Sequence, residues 1–241
     1  LSSVMRLLGY KTNSFNILIV AANQARKQVR PMLEAIATFH KAHPEADTRL
    51  YLHSQYTGER DLRADEDELG LSDITVHPEP YLMTQGGAPE KDMVLVFNCA
   101  DVVMNVCVEG FGYSQLQAQA CGVPVICLSE GAGPELVQFG IEVPAQAIEV
   151  SPHQMAQPWP NVVATAQALE EIWKRRVQAG KPLRSPGAVQ FVQDNFSFGK
   201  IASQWFTVID KAMEDRVKFC MQLPERPSWL DEKARTVLEL S

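Results

Sequence analysis

The chain has 241 residues, enough for one large α/β domain with an appendage but few for two full domains. Apolar residues make up 46% and charged residues 21%, which is ordinary for a globular protein. The formal net charge of -7 disfavours nucleic acid and acidic membrane surfaces as general partners, because both are negatively charged. No apolar run reaches the roughly 20 residues of a transmembrane helix, and the first residues lack a signal-peptide pattern.

Short apolar runs of strand length alternate with helical patterns along most of the chain. The sequence predicts strands over residues 15–22, 48–53, 74–77, 102–108 and 123–128. It predicts helices after Pro31, over residues 61–69, 90–100 and 114–120, and from Pro134 onwards. Buried strands that alternate with helices indicate a parallel sheet covered on both faces. The predicted fold class is therefore α/β, with a Rossmann-like doubly wound parallel sheet and additional C-terminal helices.

Two segments carry further structural expectations. Residues 142–159 are rich in proline and predict irregular chain, and the acidic side chains of residues 61–69 are expected on a solvated helix face. Helices are predicted over residues 161–179, 185–195, 200–220 and 229–240. The cysteines are odd in number, lie in apolar segments and form no CxxC pair, which predicts reduced buried thiols in a cytoplasmic protein: Cys99, Cys107, Cys121, Cys127 and Cys220.

In doubly wound sheets, ligands bind at the carboxyl ends of the strands, where loops lead into helices. The loop of residues 23–30 follows the first strand and carries three cations in an otherwise acidic protein. Arg26 and Lys27 are candidates for charge-assisted contacts to a diphosphate. The alternative is a solvated loop with surface cations, and the loop by itself does not decide between them.

Two glycine loops repeat this arrangement of strand, turn and helix. Residues 108–113 place Glu109 at the end of an apolar strand, where the carboxylate needs a partner, and the Gly110 to Tyr113 backbone can approach a ligand closely. Residues 129–135 carry Gly131 and Glu135, and Glu135 can equally well serve only the helix dipole. A phosphate loop of the GxxxxGK[ST] type and a complete GxGxxG fingerprint are both absent from the sequence.

The stretch of residues 101–126, which contains Glu109-Gly110-Phe111-Gly112-Tyr113, resembles the signature of the family-four retaining glycosyltransferases. Residues 17–31 resemble the first strand and phosphate-binding loop of the donor domain in that family. Residues 196–198 and the helix over residues 201–209 resemble its final segment. The resemblance covers roughly residues 6–212, with the motifs in the expected order.

The resemblance implies one half of a GT-B fold, in which two Rossmann-like domains enclose the active site and no metal or other cofactor is required. By the resemblance, Lys27 and Arg26 neutralise the leaving diphosphate, and Glu109 contacts the donor sugar near the reacting carbon. The backbone amides from Gly110 to Tyr113, including Phe111 and Gly112, hold phosphate and sugar oxygens. Gln117, Gly131 and Glu135 complete the predicted donor site.

Three departures from the family pattern bear on activity. The second carboxylate of the Glu-x7-Glu motif, which takes the ribose hydroxyls, is Gln117 here, so that charge assistance is lost. The arginine that often precedes the lysine by five residues is Ala22. The acceptor-binding domain is missing, and Leu1 in place of an initiator Met fits a fragment or a processed product.

The predicted organisation is a linker or helix remnant over residues 1–14, a nucleotide-sugar-binding domain over 15–212 and a helical extension over 213–241. The expected activity is retaining transfer from a UDP-sugar or GDP-sugar, with an N-terminal acceptor domain supplied in cis or by a second chain. The expected location is cytoplasmic, with peripheral membrane association through the missing half left open. The alternatives are a non-catalytic nucleotide-sugar-binding or interaction module and a Rossmann-like oxidoreductase, which the incomplete glycine fingerprint disfavours.

Overall fold

The computed structural model describes residues 2–80, 83, 88–150 and 156–222. The chain divides into two compact units, Leu1–Gln193 and Asp194–Ser241. The described helices are α1 (Ser2–Leu7), α2 (Val29–Ala42), α3 (Leu62–Leu69), α4 (Glu90–Cys99), α5 (Tyr113–Ala120), α6 (Gly133–Leu136), α7 (Val162–Ala179), α8 (Pro186–Phe196) and α9 (Phe198–Gln222). The described strands are β1 (Phe15–Val20), β2 (Thr48–His53), β3 (Thr75–Val76), β4 (Val102–Asn105), β5 (Val125–Leu128), β6 (Gly140–Val143), β7 (Ala145–Val150) and β8 (Ala156–Pro160).

Six strands form one parallel sheet in the order β3-β2-β1-β4-β5-β6. This is the strand order of doubly wound dinucleotide-binding folds, in which the chain starts at the centre and winds outwards in both directions. The order reverses between β1 and β4, so the carboxyl ends of these two strands flank the crevice where such sheets bind ligands. The predicted fold class is confirmed.

The two faces of the sheet have separate cores because alternate side chains of a strand point to opposite faces. Phe15, Ile17 and Ile19 of β1 pack in one cluster with the buried residues of α2 and α7. Leu18 lies on the other face with buried residues of α4 and the segment that follows α1. Coverage on both faces explains why the strands are solid apolar runs in the sequence.

The expectation of irregular chain over residues 142–159 was wrong. Strand β6 completes the parallel sheet, and β7 and β8 form an antiparallel pair apart from it. Nearly all of β7 is exposed, including Ile148 and Val150, so its apolar residues do not show the alternation that marks a half-buried strand. Residues 151–155 lie outside the described part of the chain.

The expectation of a solvated acidic helix over residues 61–69 was also wrong in part. Asp65 and Glu66 of α3 are buried. Asp65 accepts hydrogen bonds from Arg30 and Arg60 at 2.8 Å, and Glu66 lies 2.7 Å from His77. These partners come from three other segments, and the helix sequence by itself gives no sign of them.

The expected thiols are confirmed for the described side chains: Cys99, Cys107 and Cys127 are free and buried, and Cys121 is free and half-buried. Residues 223–241, with the helix predicted over 229–240, lie outside the described residues. Among the described residues, no helix is both long enough and apolar enough to span a membrane.

Candidate functional site

An open cleft of about 600 Å³ lies at the carboxyl ends of β1, β2 and β4, where the strand order reverses. This is the position at which doubly wound sheets bind ligands. The cleft brings together most of the residues predicted as a site. It is lined by Val20, Ala21, Ala22, Arg26, Lys27, His53, Met83, Glu109, Phe111, Gly112, Tyr113, Ser114 and Gln117.

Lys27 and Glu109 form an ion pair across the crevice between the loops that follow β1 and β4. Both side chains are largely buried, with 14% and 16% of their surface exposed. The Cys107 thiol lies 3.5 Å from the same carboxylate oxygen, and burial raises the pKa of Cys107 to about 12, so the thiol remains protonated. A lysine ammonium has three N–H donors, so Lys27 retains capacity for a second anionic partner.

The loop after β1 is bonded to the loop after β2, which sets the position of Lys27. The Asn23 side chain is buried and donates to the carbonyl oxygens of Gln55 and Arg60, at 3.0 and 2.8 Å. The Ala25 N–H donates to Glu59 at 2.8 Å. The loop then forms a 3-10 turn that ends at Lys27. Main-chain and side-chain bonds therefore hold the cation against the loop after β2.

The three cations of this loop have different surroundings. Arg26 is exposed and lines the cleft, and its Nε donates to Gln24 at 3.1 Å, which leaves its terminal amino groups as further N–H donors. Arg30 instead donates to Glu34, Asp65 and Glu68 at 2.8–2.9 Å. The cleft therefore has two cations, and the third stabilises the packing of α2 against α3.

Gly112 ends the loop after β4 and precedes the first residue of α5. Its φ of 75° lies in the left-handed region, and a Cβ there would come within 2.5 Å of Gln115 Oε1. Beyond it, the first N–H groups of α5 have no acceptor within the helix and favour an anion. The rings of Phe111 and Tyr113 lie 4.8 Å apart on the exposed wall of the cleft.

The second glycine loop does not line the cleft. Gly131 packs behind the first loop, where a Cβ would lie 3.2 Å from the Glu109 carbonyl oxygen. Ala132 N–H donates to that same oxygen at 3.1 Å. Glu135 is exposed on α6, and Gly110, though in the first loop, is also exposed and absent from the cleft wall.

The cleft also contains residues that the sequence did not single out. His53 is buried at the end of β2, and Met83 lies on the same side. Neither belongs to a recognisable motif; the only signal for His53 is a polar residue at the carboxyl end of a buried strand. Gln117, which the sequence did predict as a site residue, lies in the second turn of α5 and lines the wall opposite His53.

Together, the sheet order and the cleft define a Rossmann-like α/β domain with cationic side chains in a cleft at its switch point. The chain belongs to the family of glycosyl transferases group 1, which matches residues 14–175. The resemblance expected from residues 101–126 is thereby confirmed.

Two relatives are D-inositol 3-phosphate glycosyltransferases. The protein of Paenarthrobacter aurescens (strain TC1) is 31% identical over 137 residues, which cover 56% of this chain and 32% of the relative. The protein of Saccharomonospora viridis is 40% identical over 86 residues, which cover 34% of this chain and 18% of the relative. The chain therefore matches about a third or less of the length of these relatives.

Solved structures of GT-B glycosyltransferases share the fold. Sucrose-phosphate synthase from Thermosynechococcus elongatus has a TM-score of 0.67 at 19% identity, with 89% of this chain and 49% of that chain covered. HepE of Anabaena, solved in complex with UDP and glucose, has a TM-score of 0.63 at 19% identity, with 87% and 51% covered. The chain spans about half the length of these structures.

Proposed function

We propose that the chain supplies the donor-binding half of a retaining glycosyltransferase, which transfers a sugar from a UDP-sugar or GDP-sugar to an acceptor bound by another domain. The observation that carries the proposal is the meeting of Lys27 and Glu109 across the switch-point crevice. A diphosphate needs cations, and a sugar needs a hydrogen-bond acceptor close to them. The cleft offers both within one ion pair.

In the proposed mechanism, Lys27 and Arg26 neutralise the diphosphate as it departs, which is the role a metal ion fills in other transferases. The N–H groups at the start of α5 add partial positive charge on the same side. Glu109 faces the sugar, where positive charge develops on the ring as the bond to phosphate breaks. Electrostatic stabilisation of charges that develop in the transition state is the largest single contribution to the rate enhancement of many enzymes.

A non-catalytic nucleotide-sugar-binding or interaction module is the second candidate. Two departures favour it: Gln117, which lines the cleft where the family has a carboxylate, and Ala22, which lines it where the family often has an arginine. Both changes remove charge from the proposed donor site. If these two changes abolish transfer, the protein would bind a nucleotide sugar without turning it over.

Titration calorimetry with UDP-sugars and GDP-sugars, run beside a transfer assay, tests the proposal. The 241-residue chain is expected to bind one of them weakly and to transfer nothing. Alignment of donor and acceptor supplies several kcal/mol of the barrier and requires the opposite domain. Transfer at about 1 per second or faster by this chain would contradict the assignment to a half-enzyme. Transfer that appears only after an acceptor domain is joined would decide against the non-catalytic module.

A further inference from the structure

His53, the last residue of β2, is a buried polar side chain that the roles assigned above do not use. Its exposed fraction is 8%, and it lines the cleft. Alternation along β2 places His53 on the same face of the sheet as Tyr51, and the strand register pairs it with Val20 of β1. Helix α5 packs on this same face of the sheet, and the cleft opens there.

Tyr51 fixes the tautomer of His53. The Tyr51 hydroxyl lies 3.3 Å from His53 Nδ1. Burial raises the pKa of Tyr51 to about 12, so the phenol keeps its proton, and Nδ1 is its one acceptor within the described part of the chain. Burial also lowers the pKa of His53, which keeps the imidazole neutral. Nδ1 therefore accepts, and the ring proton resides on Nε2.

Nε2 has no hydrogen-bond partner among the described residues. His53 lines the cleft, so an N–H on Nε2 is a donor that a ligand bound in the cleft can use. We propose that His53 is a specificity-determining residue of the donor site, an inference that rests on the proposed function. In this role, the Nε2–H of His53 donates to an oxygen of the nucleoside half of the bound nucleotide.

The position of His53 favours the nucleoside over the diphosphate. Lys27 and Arg26 follow β1 and Glu109 follows β4, whereas His53 ends β2 on the far side of β1. On that side the cleft shares Met83 with a smaller cavity of about 180 Å³, which is lined by Ser54, Gln55, Tyr56, Thr57, Pro78, Pro80 and Met83. A donor whose sugar lies at Glu109 and whose diphosphate lies at Lys27 therefore extends its nucleoside towards β2. A neutral N–H suits a neutral oxygen there.

The test measures the dissociation constants of pyrophosphate and of UDP or GDP, whichever binds more tightly, on the whole chain by titration calorimetry. His53→Ala is expected to weaken nucleotide binding about five- to tenfold and pyrophosphate binding less than twofold. His53→Gln is expected to retain most of the affinity, because the glutamine amide nitrogen lies near the position of Nε2. His43→Ala, which changes a histidine at the end of α2, is the matched control and is expected to bind as the unaltered chain does. Thermal denaturation of each variant reports folding.

An unchanged nucleotide affinity in folded His53→Ala would overturn the inference, and so would an equal loss for pyrophosphate, because the contact would then be to phosphate. If His53→Ala does not fold, an equal affinity of His53→Leu and His53→Gln would overturn it in the same way. Lys27→Ala separates this inference from the proposed function. If Lys27→Ala loses nucleotide binding and His53→Ala does not, only the inference about His53 is contradicted. If the unaltered chain binds neither UDP nor GDP, the proposed function is contradicted as well.

Discussion

Two loops of this chain share a sequence pattern and differ in what they contact. Residues 108–113 and 129–135 each follow a buried strand, contain two glycines and lead into a helix. The first loop lines the cleft and presents Glu109 to Lys27. The second packs behind the first, with Ala132 N–H on the Glu109 carbonyl oxygen and Glu135 exposed.

The difference follows from the place of each strand in the sheet. β4 lies beside β1 at the reversal of strand order, so its loop meets the cations that follow β1. β5 lies one strand further out, and its loop contacts the loop after β4 and not the cations that line the cleft. A glycine turn at a strand end thus lines the cleft when its strand borders the switch point. Elsewhere the same turn supports its neighbour.

The largest expected effect is on transfer and concerns Glu109. Glu109→Gln keeps the size of the side chain and removes its charge, so transfer by a protein that joins this chain to an acceptor domain should fall at least about a hundredfold. Nucleotide affinity should remain nearly the same, because Glu109 is assigned to the sugar end. Steady-state kinetics and calorimetry measure both quantities. Glu171→Gln, an exposed carboxylate on α7, is the control, and undiminished transfer in Glu109→Gln would remove Glu109 from the mechanism.

Lys27→Ala is expected to weaken nucleoside-diphosphate binding at least tenfold, which is about 1.4 kcal/mol. The variant removes the diphosphate contact and also leaves Glu109 without its cation. Calorimetry with UDP and GDP measures the loss. Lys174→Ala removes an exposed lysine that pairs with Glu170 away from the cleft wall, and it should bind as the unaltered chain does. Equal affinities for the two variants would place Lys27 outside the site.

Gly131→Ala tests whether the second loop supports the first. Alanine at a φ of 79° should cost about 1–2 kcal/mol of folding stability, and its Cβ should displace the Glu109 backbone enough to weaken nucleotide binding about fivefold. Gly180→Ala is the matched control: its φ is 64°, with nothing within 4 Å of the added Cβ. Thermal denaturation should report a similar loss of folding stability for Gly131→Ala and Gly180→Ala. If both variants also lose affinity equally, the second loop has no specific role.

The fold could be predicted because its signals are local. Each strand of the parallel sheet except β6 is a short apolar run bounded by polar or turn residues, and the solid runs themselves indicate burial on both faces. The hairpin of β7 and β8 was missed because the apolar residues of β7 are exposed and prolines occupy β8. Pattern reasoning detects an alternation of buried and exposed residues, and β7 shows none.

The site could be predicted only as far as its motifs extend. Lys27 and Glu109 lie in motifs separated by 82 residues, and the parallel topology brings them together as expected. The role of His53 depends on Tyr51, on the register with β1 and on the course of the cleft, none of which a motif contains. The same holds for the buried Asp65, whose partner Arg30 lies 35 residues away at the start of α2. Long-range partners are the part that sequence patterns leave undetermined.

The smallest expected effect concerns Gln117, and it is a gain. Gln117 is exposed on the second turn of α5 and faces the cleft, in the place where the family has a carboxylate. A carboxylate accepts hydrogen bonds from ribose hydroxyls more strongly than an amide does, so Gln117→Glu should tighten nucleotide binding. Repulsion between the new charge and the diphosphate opposes the gain, although Lys27 and Arg26 reduce it.

The net gain from Gln117→Glu is therefore expected to be about threefold, and it should depend on the ribose. Calorimetry with UDP and with pyrophosphate separates the two contributions, because only UDP offers hydroxyls, whereas both ligands carry the opposing charge. UDP should bind more tightly and pyrophosphate slightly less tightly. Gln138→Glu adds the same charge at an exposed position outside the cleft wall and should change neither affinity. Weaker binding of both ligands to Gln117→Glu would show that residue 117 faces the phosphates, and the assignment of this wall to the ribose would then be wrong.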